Sequence, residues 1–72
     1  MAKRNIESPI TGSVWTHSVG VGQRIAAGTV LVILECMKME IPVESPHEGV
    51  VSWLKPCGEM INVGDVVATV DA

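Results

Sequence analysis

The apolar residues of this chain fall in short runs divided by glycine and proline, and they never hold a helical spacing for long. The strongest runs are "TVLVILE", residues 29–35, and "DVVATVD", residues 65–71. Both are rich in β-branched residues and long enough for one strand each. "GSVWTHSV" and "GVVSWLK" also read as strands, although neither alternates cleanly. "VGQRIAAG" and "CGEMINVG" place a glycine near each end of a short mixed segment, the pattern of turns that need positive φ. Seven glycines and four prolines interrupt the chain before any helix reaches three turns.

These runs come in two sets. "PITGSVW", residues 9–15, is answered by "PHEGVVS", residues 46–52, and "GQRIAAGTVLVIL", residues 22–34, by "GEMINVGDVVATV", residues 58–70. The spacing shifts from 37 to 36 residues between the two blocks, a single residue absorbed in a loop. A unit this short cannot bury its own apolar face, so the copies should pack on one another about an approximate two-fold axis. The expectation is one all-β domain over residues 1–72, with repeat halves at 9–35 and 46–71 joined by a hairpin over 36–45. Two small, mostly antiparallel sheets would pack face to face. Val14, Ile25, Val30, Val32, Val51, Ile61 and Val66 are the expected core residues, and the "AKRN" start is expected to be a mobile end before the first strand.

The joining segment holds the unusual chemistry. "MEIPVE" reads as a strand, and Pro42 makes it an edge strand or a bulged one. Following "TVLVILE" directly, it closes a hairpin whose turn falls on Met37 and Lys38, with Lys38 outermost. Without glycine or asparagine there, a turn open to ordinary residues, of type I or a related type, is expected. Most lysines are solvated surface groups. Here methionines on both sides would stand exposed where no fold requires them, and thioethers make adaptable apolar contact surfaces. Nothing nearby would activate Lys38 as a nucleophile of its own, so a lysine modified by a partner fits better.

Composition narrows the function further. A chain of 72 residues buries only roughly 60% of its unfolded surface. Its expected radius of gyration of about 11 Å leaves little room for both a core and a substrate cleft, which argues against an enzyme. The net charge of −3 with no basic run beyond Lys3-Arg4 gives nucleic acid little to hold. No apolar stretch reaches the ~18 residues of a membrane span, and the N-terminus has no signal-peptide core, so a cytoplasmic protein with Cys36 and Cys57 reduced is expected. His17, His47, Cys36 and Cys57 lack metal-ligand spacing, and Trp15 and Trp53 have no basic groove beside them and read as core or rim residues.

Glu35, Cys36, Met37, Lys38, Met39 and Glu40, at a hairpin tip between two quasi-repeats, resemble the attachment motif of the biotinyl domains of biotin carboxyl carrier proteins. The resemblance covers about Ile6 to Val70, including Pro42 after the motif. It departs where Cys36 replaces the usual alanine, which sets an oxidisable thiol near the lysine. No inserted loop in the first half is long enough for the thumb of some bacterial carriers. The resemblance implies a flattened barrel or sandwich of two four-stranded antiparallel sheets with biotin in amide linkage to Lys38. It implies a biotin protein ligase that reads Met37 and Met39, with Glu35, Cys36 and Glu40 flanking. It also implies a biotin carboxylase using ATP and bicarbonate, a carboxyltransferase, and a monomeric carrier domain that does neither step of chemistry.

Lipoate on the same lysine, or biotin and lipoate attached to different fractions of the molecules, is the neighbouring alternative. Lipoyl domains share the fold but usually have aspartate and alanine where Met37 and Met39 stand, and small relatives can resemble both families. An interaction module whose methionines dock a partner while Lys38 stays unmodified is the reading from another class.

Overall fold

The computed structural model describes residues 2–72, so Met1 lies outside it. Eight strands follow in chain order: β1 (Lys3–Glu7), β2 (Gly12–His17), β3 (Arg24–Ile25), β4 (Val30–Cys36), β5 (Met39–Glu44), β6 (Gly49–Leu54), β7 (Met60–Ile61) and β8 (Val66–Asp71). They form two four-stranded sheets in the orders β1-β8-β6-β3 and β5-β4-β2-β7, with every pair antiparallel. The two sheets enclose one core, and the Cα radius of gyration is 11.1 Å.

Exchanging β1 with β5, β2 with β6, β3 with β7 and β4 with β8 converts one sheet order into the other. The two-fold seen in the sequence is therefore the two-fold of the fold, and each half contributes strands to both sheets. The correspondence reaches further than the sequence blocks: Glu7-Ser8-Pro9 is answered by Glu44-Ser45-Pro46, and β1 is the counterpart of β5. The "AKRN" segment is accordingly no mobile end. Lys3 to Glu7 pair with β8, and the amides and carbonyls of Ala2 and Ala72 bond each other at 3.0 Å.

Each half repeats the same devices. Ser8 and Ser45 are buried, and each hydroxyl donates to the carbonyl two residues on (2.6 Å) while accepting that residue's amide. Both polar groups are thus satisfied inside the sandwich. Gly12 and Gly49 are counterparts, and a Cβ on either would overlap the carbonyl oxygen of Glu35 or Asp71 respectively. These glycines let the long strands β4 and β8 lie close to their neighbours.

Bulges decide the core. Leu31 is the extra residue of β4 against β5, and Val67 that of β8 against β1. Trp15 and Ser52 take the corresponding places in β2 and β6. A bulge interrupts the two-residue alternation, so Leu31 with Val32, and Val67 with Ala68, are consecutive buried residues. This corrects two expected core positions: Val30 and Val66 are only half-buried, and Leu31 and Val67 are fully buried in their stead. Val14, Ile25, Val32, Val51 and Ile61 are buried as expected. Trp15 and Trp53 lie on outer faces, 50% and 40% exposed.

Gly12→Ala should destabilise the domain by about 1–3 kcal/mol, because the new methyl can be housed only by moving β2 away from the Glu35 backbone. Urea unfolding checks this; an unchanged midpoint would show that the strands relax at no cost.

Candidate functional site

β4 and β5 are joined by a two-residue turn, Met37-Lys38, closed by the pair Cys36 and Met39. Both turn residues have positive φ, 51° for Met37 and 67° for Lys38. This corrects the expected type I geometry. Two positive φ values belong to the mirror-image turn, whose twist matches that of the flanking strands, whereas a type I turn would splay them. Asn-Gly is the sequence that suits such a turn. Ordinary side chains in the left-handed region cost roughly 1–2 kcal/mol each, so Met37 and Lys38 are kept here against local preference.

Strand alternation distributes the rest of the motif. Glu35 lies opposite Glu40 on the outer face, and both are exposed. Leu34 is fully buried, so Cys36 and Met39 project on the core side of the sheet, at its open end. There Cys36 is half-buried and Met39 63% exposed. Met37 is 90% exposed and Lys38 is exposed beside it. Cys36 and Cys57 are both free thiols.

Two-fold symmetry shows what is special about this end of the molecule. The counterpart of the paired Cys36 and Met39 is the bonded pair Ala72 and Ala2. The same framework thus carries the closed hairpin tip on one half and this backbone pair on the other. An open groove lies between edge strands β1 and β5, lined by Asn5, Glu7 and Pro9 and their counterparts Pro42, Glu44 and Pro46. No residue from 35 to 40 lines it. Lys38 is exposed on a turn that lies outside that groove.

The arrangement suits acylation by another protein. An exposed primary amine on a rigid two-residue turn is accessible, and a group attached there would stand clear of the core. The sheets beneath it are closed by residues unrelated to the tip, so a side-chain change at the tip leaves the core intact. Sequence reading placed the turn on the right two residues. It missed Met60, which the sheet sets in register with Ser13 and hence in line with Glu35 and Glu40. Met60 belongs to a two-residue strand with no periodic signal to announce it.

A family model described as "Biotin-requiring enzyme" matches residues 4–70. A homologue of biotinylated protein TB7.3 from Mycobacterium leprae is 40% identical over 67 residues, covering 92% of this chain and 94% of that one. A biotin/lipoyl attachment protein from Bacillus subtilis is 39% identical over 59 residues, covering 81% of each. Among solved structures, urea carboxylase of Kluyveromyces lactis contains a region that matches 99% of this chain with a TM-score of 0.92 and 30% identity, and that region is 6% of the larger enzyme.

Strain in the turn has a measurable consequence. Lys38→Gly should raise stability by about 1 kcal/mol, since glycine occupies positive φ freely, while Lys38→Ala should leave it nearly unchanged. Chemical denaturation of the two variants side by side checks it, and equal midpoints would show that the turn is unstrained.

Proposed function

The chain belongs to the biotin/lipoyl attachment family and is a non-catalytic biotin carrier domain, and we propose that Lys38 is the residue to which its biotin is joined. The single observation that supports this assignment is the position of Lys38: an exposed lysine at the summit of a strained two-residue turn, flanked by two exposed methionines. Biotin, once attached, supplies the chemistry by accepting a carboxyl group at one enzyme and releasing it at another. This chain's own residues present the amine, hold the turn rigid and keep the attached arm outside the core.

Met37 and Met39 are read as the contacts of a biotin protein ligase, with Glu35, Cys36 and Glu40 completing the surface it meets. Similar proteins include the alpha3 subunit of a biotin-dependent acyl-coenzyme A carboxylase and a pyruvate carboxylase. A biotin carboxylase and a carboxyltransferase are accordingly the partners that this carrier would serve. A tether on a compact domain holds its cargo near both sites, so the effective concentration is set by the arm's length rather than by bulk diffusion. No helix among the described residues is long and apolar enough to cross a membrane.

Co-expression with a biotin ligase, followed by intact-mass and fragment analysis, should give one biotinyl group per chain confined to Lys38. Lys38→Arg should carry none. A biotinyl group on Lys3 or Lys55, or a lipoyl group on Lys38 when both ligases are supplied, would overturn the assignment. Replacing Met37 and Met39 by aspartate and alanine should slow biotin attachment by about tenfold or more, the scale of losing an apolar anchor. An unchanged rate would remove the methionines from recognition.

A further inference from the structure

The repeat provides an internal control for reading the surface. Equivalent outward positions of the two sheets meet the same pairing and the same bulges, so stability by itself asks for similar residues at both. In the sheet below the turn, the first outward row across β5-β4-β2-β7 is Glu40, Glu35, Ser13 and Met60. Its counterpart in the other sheet is Lys3, Asp71, Val50 and Arg24, in which opposite charges are neighbours. The next row sets Pro42 and Ile33 in line with Thr16, with Trp15 bulged beside it, where the other sheet has Asn5, Thr69 and Trp53, with Ser52 bulged.

The acidic pair and the exposed apolar side chains of this face work against the isolated domain. Like charges directly opposite across a strand pair are destabilising, yet Glu35 faces Glu40. Trp15 is 50% exposed and Met60 74% exposed, on one face. Ile33, with Trp15 bulged beside it, lies roughly 14 Å below the turn, four strand residues on from Met37, with the acidic pair between, and Met60 stands level with that pair on the same face. Anything that takes up a group on Lys38 must surround the turn, and this face continues directly from it.

We propose that the outer face of the β5-β4-β2-β7 sheet is the docking surface for the biotin carboxylase, which meets it with an apolar patch edged by lysine or arginine. The proposal rests on Lys38 as the attachment site. The occupant follows from charge. An enzyme that binds ATP and bicarbonate, both anions, needs a cationic entrance, and Glu35 and Glu40 stand where the rim of that entrance would lie. Complementary charge at the rim steers encounter, and the apolar strip of Trp15, Ile33 and Met60 supplies the buried contact.

Trp15→Ser with Met60→Arg tests it, because each new residue already stands at the two-fold equivalent position, Ser52 or Arg24. Trp53→Thr alters the opposite face by the same logic, since Thr16 is its counterpart. Each protein is biotinylated, its mass is measured, and it is titrated as substrate of the biotin carboxylase of the source organism with ATP and bicarbonate. The double variant should raise KM for the carrier by at least about tenfold with kcat nearly unchanged, while Trp53→Thr changes neither by more than about twofold. On the unaltered biotinylated protein, amide shifts on adding the carboxylase should concentrate at Ile33, Glu35, Glu40 and Pro42's neighbours rather than at Lys3, Thr69 and Asp71. An unchanged KM, an equal effect of Trp53→Thr, or a loss confined to the ligase reaction would overturn the docking face. A chain that takes no biotin at Lys38 would fail at the mass measurement and overturn the attachment reading as well.

Discussion

Leu31 and Val67 are fully buried on the two long strands that meet across the core, and each is the extra residue of a bulge. Without those bulges, strict alternation would send one of each consecutive pair, Leu31-Val32 and Val67-Ala68, out to water. With them, β4 and β8 turn a broader apolar edge inward, and two halves that could not bury their side chains separately close on one another. The remaining arrangement depends on this mutual burial. Gly12 and Gly49 let the strands approach, and Ser8 and Ser45 satisfy the backbone where the chain passes between sheets.

The core closed by symmetry has two equivalent ends. The backbone pair Ala2 and Ala72 occupies one of them, and the Met37-Lys38 turn occupies the other. The strands beneath the turn are anchored by Leu34 and Ile41 on their inner side, so they hold two ordinary residues in left-handed geometry. Strain of this kind persists only where the surroundings over-determine the backbone. Its effect is to fix the direction in which the lysine is presented, which a flexible loop would not do. Division of labour follows: the sandwich supplies rigidity, the turn supplies the amine, and the chemistry belongs to the enzymes that the carrier visits.

Much of this was legible in the chain itself. The duplicated blocks implied a two-fold sandwich, Pro42 implied an edge strand, and the two-residue gap between "TVLVILEC" and "MEIPVE" placed the turn on Met37 and Lys38. β1 was not legible, because "KRNIE" is mostly polar and its one buried residue, Ile6, has no periodic companion. The handedness of the turn was missed for a related reason. Residue preference pointed to a turn for ordinary residues, and the twist of the flanking strands overruled it.

The sequence by itself determined which residues pair into halves, where the hairpin turns, and that an exposed lysine stands there between two methionines. These are properties of local spacing and of repetition, and both can be read along one dimension. Only the tertiary structure decided that Leu31 and Val67 replace Val30 and Val66 in the core, that the turn is left-handed, and that Met60 and Trp15 share a face with Glu35 and Glu40. Bulges, strand twist and lateral order are set by how neighbouring strands are hydrogen-bonded and packed, and those neighbours are up to 68 residues away in the chain, as Lys3 and Asp71 are.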